Sequence, residues 1–296
     1  MCVGYTKVHG LINREEGMDS EGLIVSFRRK LEVQRFAPNT VKSYVDYARI
    51  FLTYMHRYES LQSIPIDEIE AFINHKVLVE KISSSYQKGL VGAIQKLYLF
   101  EVGHKLPINY LYPSRKENKL PSFFSKEEVK RILDGTTNTK HKAILMTIYS
   151  CGLRVSELVQ LRIEDVRSAD NLIVIRQSKG NKDRMVTLSE RLLHVLRNYY
   201  VEYKPKEYLF EGEKGGMYSV RSVQLVLKKA MQLANVKTKG SVHTLRHSFA
   251  THLIEAGTDI RIVQELMGHN SVKTTMIYTH ITDQLKRKTP SPLDFL

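Results

Sequence analysis

Three segments toward the C-terminal end decide how this chain is interpreted: G-S-V-H-T-L-R-H-S-F-A-T-H-L (residues 240–253), L-M-G-H-N-S (266–271) and T-T-M-I-Y-T-H (274–280). They hold four groups suited to phosphate chemistry: His243, Arg246, His269 and Tyr278. His243 and Arg246 stand three residues apart, so one helix can direct both into a cleft. For an isolated H-x-x-R motif, however, a core histidine beside a surface arginine is the favoured interpretation, and His247 competes with His243 for the same role.

The length and charge of the chain narrow its class. At 296 residues it exceeds the usual single domain, which predicts two domains. A net charge of +14 favours a polyanionic partner, with an acidic membrane surface as the alternative. The sequence shows neither a long apolar run nor a signal-peptide core, so we expect a soluble cytoplasmic protein. With Cys2 and Cys151 as the only cysteines, no disulfide framework or cysteine-built zinc site is expected.

The N-terminal part predicts a loose extension over residues 1–20 and a helical bundle over 21–104. Four helical patterns support the bundle: Leu23, Phe27 and Leu31; the stripe from Val41 to Met55; Ile69, Phe72 and Ile73 behind an Asp67–Glu70 capping box; and Tyr86, Leu90, Ile94 and Leu97. Basic residues lie between the apolar positions and fit a face that meets a phosphate backbone, although an ordinary solvated surface explains any one of them. The DNA-contact candidates are Arg28, Lys42, Lys88, Lys96 and, later in the chain, Lys182.

Residues 105–124 read as a basic, proline-broken linker, and residues 125–285 as a second domain that ends in a tail over 286–296. Ser125 and Glu128 form an S-x-x-E capping box that opens the first helix of this domain. An apolar helical segment at 141–161 follows, interrupted by Gly152 and Arg154. Two short strands, 172–175 and 185–188, then enclose a turn with Lys179 at its tip, and helices are predicted over 189–203 and 219–234.

Arg154 stands in an apolar segment, where an unpaired guanidinium would be costly to bury. Glu157, three residues on, is within reach as a plain ion-pair partner. Alternatively, Arg154 reaches a cleft to hold a phosphate while Glu157 braces a neighbouring side chain. The residues alone leave both interpretations open.

Taken in order, the motifs resemble the tyrosine recombinase (phage integrase) family, and most closely its Xer-type members. The ordered set is G-L-R-V-S-E-L, a K-G-N-K hairpin, H-T-L-R-H-S-F-A-T-H-L, L-M-G-H and Tyr278 nine residues later; R-F-A-P-N-T-V-K-S-Y extends it into the N-terminal part. The resemblance covers roughly residues 21–285. It implies a mainly α protein with a small antiparallel β-sheet, built from an N-terminal SAM-like core-binding bundle and a mixed α/β catalytic domain.

The resemblance also implies a role for each matching residue. Tyr278 is the expected nucleophile, which forms a 3′-phosphotyrosyl link and frees a 5′-hydroxyl. Arg154, Arg246 and His269 are expected to donate to the non-bridging oxygens, His243 to act as base or donor, and Lys179 to protonate the leaving oxygen. Glu157 matches the acid that supports the first arginine and the histidine.

The resemblance further predicts double-stranded DNA with an inverted-repeat core site as substrate. A homotetramer in the synapse is implied, with a monomer or dimer off DNA, and with a second recombinase or a septal DNA translocase as further candidate partners; no membrane partner is expected. Paired guanidiniums can replace a divalent ion, and the sequence carries no D-x-D or H-E-x-x-H cluster, so we expect no metal. Because the phosphotyrosyl ester conserves the bond energy, no cofactor is expected.

Other functions remain to be separated from dimer resolution. A mobile-element integrase and a type IB topoisomerase share the chemistry. A non-catalytic DNA-binding accessory protein is the alternative from another class, although the complete Arg-Lys-His-Arg-His-Tyr set argues against it.

Overall fold

The computed structural model describes residues 18–114, 122–178, 182–269, 271–276 and 278. It is mainly helical, with one three-stranded antiparallel sheet, which confirms the predicted fold class. The chain divides into two compact units, with the division between Asn118 and Lys119. Among the described residues, no helix combines the length and apolar character needed to cross a membrane. The predicted 1–17 part of the extension and the 286–296 tail lie outside the described residues.

The N-terminal unit contains the four predicted helices: α1 (Ser20–Val33), α2 (Pro38–Tyr54), α3 (Ile66–Asn74) and α4 (Ser84–Glu101). The periodic apolar positions of the sequence form its core, with Phe27, Phe51 and Phe72 fully buried. Their spacing places them on one stripe of each helix, and burying those stripes against one another assembles the bundle.

The start of α3 differs from the prediction. The helix begins at Ile66, one residue before Asp67, and its N-cap is Pro65, which provides no side-chain cap. The Asp67–Glu70 capping box is therefore wrong. Pro65 has an extended backbone and leads directly into the helix, so Asp67 already lies in the first turn, where its carboxylate favours the positive end of the helix dipole.

Residues 105–114, assigned to the linker from sequence, pack on the bundle. Leu106 and Ile108 are buried in its core, and a 3₁₀ turn covers Asn109–Leu111. The Gln95 amide nitrogen on α4 donates to the Leu106 carbonyl at 3.1 Å and to Asn109 Oδ1 at 3.0 Å. These contacts attach the segment to α4, while residues 115–121 lie outside the described part of the chain.

The helices of the C-terminal unit begin at the predicted capping box. The Glu128 amide donates to Ser125 Oγ at 3.2 Å, and the Ser125 amide donates to Glu128 Oε2 at 3.0 Å, which confirms the box. The helices are α5 (Lys126–Asp134), α6 (Thr139–Cys151), α7 (Val155–Gln160), α8 (Glu190–Tyr203), α9 (Val220–Leu233), α10 (Val242–Glu255), α11 (Ile260–Met267) and α12 (Val272–Met276).

The sheet has the order β1 (Val166–Arg167), β2 (Leu172–Ser178) and β3 (Lys182–Thr187), all antiparallel. The β2–β3 hairpin is the predicted one, and β1 is an additional short strand. Ile173 pairs with Val186, and Ile175 pairs with Arg184, so Arg184 shares the inward face with these apolar residues. Lys179, predicted at the hairpin tip, lies outside the described residues.

The segment that leads into the first helix of the C-terminal unit packs against α10. Phe124 is fully buried, and its amide donates to Ser248 Oγ on α10 at 2.8 Å. A Cβ at Gly240 would lie 2.2 Å from the Phe124 ring, so the close approach needs glycine there. Phe124, placed in the linker by its sequence context, is part of this core.

Candidate active site: arginines and histidines around Tyr278

Arg154 enters the site because α6 ends just before it. Gly152 adopts a left-handed conformation with φ of +57° and closes α6, and Arg154 is the residue that caps α7. Arg154 Nη1 donates to Glu157 Oε1 at 2.6 Å, and Nη2 donates to the Gly268 carbonyl at 3.0 Å. The guanidinium thus makes the ion pair allowed by the sequence and also reaches the end of α11. Each Nη carries two hydrogens, so donor capacity remains for an anion.

Glu157 also holds a second arginine that sequence reasoning missed. Arg184 of β3 is buried and donates to both carboxylate oxygens of Glu157, each at 2.8 Å. Arg184 Nε donates to the Leu266 carbonyl at 2.8 Å, which ties the hairpin to the end of α11. Burial raises the pKa of Glu157, but the hydrogen bonds and charge of Arg184, followed by the contacts of Arg154 and Arg246, outweigh it and lower the pKa to about 2. The carboxylate is therefore charged.

A signal for Arg184 is present in the sequence. Along K-D-R-M-V-T-L, Arg184 has the same strand parity as Val186 and Leu188, and all three are buried. An arginine at an inward-facing strand position requires a buried counter-charge. Strand alternation could have identified it.

Arg246 lies at the centre of the cluster. It is 2% exposed, and its Nη1 donates to the Gly152 carbonyl at 2.6 Å while Nη2 donates to the Met267 carbonyl. Nη2 also lies 3.3 Å from His269 Nε2. Burial, followed by the positive charge of Arg154, lowers the pKa of Arg246 to about 9. This side chain on α10 joins the ends of α6 and α11, where two left-handed glycines turn the chain.

His269 follows Gly268, whose left-handed conformation with φ of +59° ends α11. Its Nδ1 lies 3.0 Å from Thr275 Oγ1 of α12, so both imidazole nitrogens have partners. Burial, with Arg246 and Arg154 next, lowers the pKa of His269 to about 4. The ring is neutral near pH 7.

Tyr278 is buried inside the cluster. It is 1% exposed, its hydroxyl lies 2.7 Å from His247 Nδ1, and its ring lies nearly parallel to that of His269, at 13° and 6.4 Å between centroids. Burial raises the pKa of Tyr278 to about 12, although Arg246 and Arg154 oppose this rise. Burial, followed by His243 and Arg246, lowers the pKa of His247 to about 4. Both partners are neutral near pH 7.

His243 lies at the rim of the cluster. Its ring is exposed and stacks on His247 at 6.1 Å between centroids. Partial desolvation by the neighbouring protein, followed by the positive charges of Arg246 and Arg154, lowers the pKa of His243. Five of the six predicted catalytic residues thus lie with Glu157 in the C-terminal unit: Arg154, His243, Arg246, His269 and Tyr278. The sixth, Lys179, lies outside the described residues.

The DNA-contact candidates occupy different settings. Arg28, Lys42 and Lys88 are exposed on α1, α2 and α4, as a surface that contacts DNA requires. The Lys96 ammonium instead lies 5.4 Å and 5.1 Å from the ring centroids of Phe36 and Phe100, an intramolecular cation–π arrangement. Lys182 is the first residue of β3.

Within the described residues, no group of three or more histidine, cysteine, aspartate or glutamate side chains is placed to hold a metal ion. The cluster around Tyr278 consists of nitrogen donors with one carboxylate that is already bound by arginines. Such a set suits an oxyanion.

Comparison with known proteins assigns the fold and the motifs to a family. The profile described as "Phage integrase family" matches residues 122–285, and "Phage integrase, N-terminal SAM-like domain" matches residues 23–107. The chain belongs to the phage integrase family of tyrosine recombinases. It is an enzyme of DNA strand breakage and rejoining, as the resemblance predicted.

Two curated relatives of this recombinase span most of both chains. Tyrosine recombinase XerA of Pyrococcus horikoshii is 32% identical over 93% of this chain and 94% of its own, and putative integrase/recombinase y4qK of Sinorhizobium fredii is 34% identical over 90% and 86%. The fold is shared by a solved structure of XerH site-specific recombinase, a post-cleavage complex with palindromic difH substrate. The TM-score is 0.72 and the sequence identity 23%, over 91% of this chain and 83% of that one.

Proposed function

We propose that this enzyme is a site-specific recombinase whose nucleophile is Tyr278. The single observation that carries the proposal is the burial of the Tyr278 phenol beside Arg246, Arg154 and His269. A phenol with a pKa raised to about 12 needs a positive field at the moment of attack. Two guanidiniums supply that field, and both lower the pKa of Tyr278 against the effect of burial.

In the proposed reaction, Tyr278 attacks a DNA phosphodiester, forms a 3′-phosphotyrosyl ester and releases a 5′-hydroxyl. Arg154, Arg246 and His269 donate to the non-bridging oxygens, and His243 adds a donor from the rim. Preorganised donors of this kind commonly contribute on the order of 100-fold to 1,000-fold each in rate. Glu157 holds the arginines in place. The role of Lys179, protonation of the leaving oxygen, is proposed from its K-G-N-K motif.

The covalent intermediate provides the test. After selection of the bound core sequence, a nicked and labelled duplex of that sequence should trap a protein–DNA adduct with the wild-type enzyme. Tyr278→Phe should abolish the adduct, whereas the matched control Tyr218→Phe should form it normally, because Tyr218 contacts Lys140 away from the cluster. An adduct of equal yield in Tyr278→Phe would exclude this residue as the nucleophile.

We further propose Xer-like resolution of chromosome or plasmid dimers as the biological role, with a homotetramer acting on inverted-repeat sites in the cytoplasm. The XerA relative and the palindromic substrate of XerH support this proposal. A second recombinase and a septal DNA translocase are candidate partners. The relative y4qK, a putative integrase/recombinase, favours a mobile-element integrase as the second candidate.

A plasmid substrate separates these roles from each other and from a topoisomerase. With two directly repeated sites, a resolving recombinase yields two circles, and a topoisomerase relaxes even a plasmid that lacks sites. An integrase of a mobile element should join a donor site to a different target site more efficiently than it resolves repeats. Relaxation without sites would overturn the assignment as a site-specific recombinase.

A further inference from the structure

An imidazole nitrogen lies within hydrogen-bonding distance of the Tyr278 hydroxyl. His247 Nδ1 lies 2.7 Å from Tyr278 Oη, and Tyr278 is 1% exposed, so solvent has little access to the phenol proton. We infer that His247, the residue after Arg246, accepts this proton when Tyr278 attacks DNA and returns it when the strand is rejoined. The inference rests on the proposed function and names a group that the ordered motifs left undecided.

The other two imidazoles of the cluster, those of His243 and His269, contact groups other than the Tyr278 hydroxyl. The His243 ring contacts the His247 ring, and within the described ranges no hydrogen bond joins His243 to Tyr278. His269 faces the Tyr278 ring, but its Nδ1 contacts Thr275 Oγ1 and its Nε2 contacts Arg246. Among the described residues, His247 is thus the histidine with a nitrogen within hydrogen-bonding distance of the reacting oxygen, which is the first requirement for a general base.

The charges around His247 support a neutral ring before the reaction. Burial first, and then His243 and Arg246 of α10, oppose its protonation, and among the described residues His269 and Tyr278 are the other titratable groups that face it. A neutral ring with its hydrogen on Nε2 offers the Nδ1 lone pair to the phenol. The bound phosphodiester then brings negative charge, which favours the imidazolium that forms beside it.

The proposed step balances. The Tyr278 O–H bond breaks and an N–H bond forms at His247 Nδ1, while the phenolic oxygen bonds to phosphorus. The bond from phosphorus to the 5′-oxygen breaks, and that oxygen takes a proton from the acid. In rejoining, the 5′-hydroxyl attacks phosphorus and returns its proton to the acid, the bond from phosphorus to the phenolic oxygen breaks, and the His247 imidazolium reprotonates the leaving phenolate. The same residue acts as base and then as acid, as microscopic reversibility requires.

The test uses single-turnover cleavage by the full-length enzyme of a nicked core-site duplex with sulfur in place of the bridging 5′-oxygen. The sulfur removes the need for an acid, so the pH profile reports the nucleophile and its base. His247→Asn can keep a hydrogen bond to Tyr278 but loses the basic nitrogen. His243→Asn is the matched comparison on the same helix, and His194→Asn on α8, whose side chain contacts Asn198, is the control for an unrelated histidine.

We expect His247→Asn to slow cleavage at pH 7 by about 100-fold or more, with a rate that rises roughly tenfold per pH unit from pH 6 to 9 as hydroxide replaces the base. Wild type and His194→Asn should cleave at equal rates with a nearly flat profile. His243→Asn should be slower through loss of a donor but should keep the flat profile. The midpoint of thermal unfolding and the affinity for the core site show that each variant is folded, and His247→Gln repeats the test if His247→Asn is not.

Three results would overturn the inference. These are a His247→Asn rate within threefold of wild type, a slow rate with a flat profile, and a tenfold slope per pH unit in His243→Asn, which would transfer the role to His243. A wild-type enzyme that forms no adduct at all would instead refute the proposed function.

Discussion

Replacing Glu157 by glutamine should destabilise the C-terminal unit more than any exposed charge change. The carboxylate accepts hydrogen bonds from Arg154 and Arg184, and Arg246 Nη1 lies 3.6 Å from it. Glu157→Gln keeps the shape of the side chain and removes its charge. The buried Arg184 guanidinium is then left without a counter-charge.

The magnitude follows from the pKa of Glu157. A shift from the ordinary 4.5 to about 2 corresponds to about 3 kcal/mol of stability. Removing one partner of a buried ion pair is independently expected to cost roughly 3–5 kcal/mol. Because the folded pKa lies below the unfolded value, this contribution is present above pH 4.5 and is lost as the pH falls toward 2. The urea midpoints of wild type and Glu157→Gln should therefore converge over that range.

Cys151 offers a native reporter at pH 7. It is fully buried in the core of the C-terminal unit, so a thiol reagent labels it only when that unit opens. In a Cys2→Ser background, Glu157→Gln should label roughly 100-fold faster, which is the rate equivalent of about 3 kcal/mol. The control Asp134→Asn, which removes a surface pair with Lys130, should change the rate less than threefold. A similarly small change in Glu157→Gln would refute the reasoning.

Two further predictions follow from the geometry. Gly152→Ala would place a methyl group 2.4 Å from the Phe249 ring, at a residue with a left-handed backbone. We therefore expect the free energy of unfolding to fall by roughly 1–3 kcal/mol, measured as a lower urea midpoint. An unchanged midpoint would contradict the clash. Folding lowers the pKa of His247 and His269 from 6.5 to about 4, so stability should fall as the pH falls from about 6.5 to 4. His269→Gln should flatten that slope, and an unaltered slope would exclude His269 as its source.

The sequence predicted those elements whose signals are local. Apolar periodicity located the four helices of the bundle, and the capping pattern of Ser125 and Glu128 located the start of α5, because both depend on residues within one or two turns. Asp67 failed as a cap since the extended backbone of Pro65 starts α3 one residue earlier. Phe124 and residues 105–114 looked like linker because their partners, Ser248 and Gln95, lie far along the chain or on another element.

For the candidate site too, some features follow from the sequence and others only from the folded structure. By itself the sequence determined which residue types are present and their order, and the resemblance carried by that order named Arg154, Arg246, His269 and Tyr278. It also left Glu157 with two roles, and the structure gives it both, a pair with Arg154 and a brace for Arg184. Strand parity marks Arg184 as inward-facing, but its contact with the end of α11 exists only in the folded chain.

Only the tertiary structure decided which imidazole meets the phenol. His243 and His247 are one helical turn apart on α10, and nothing in their local sequence separates them. The difference arises from the chain after α11, which returns Tyr278 to the position of His247 and leaves His243 at the rim. A hydrogen bond and the burial that shifts a pKa depend on atoms brought together across sequence separations of 31 residues, and that proximity exists only in the folded chain.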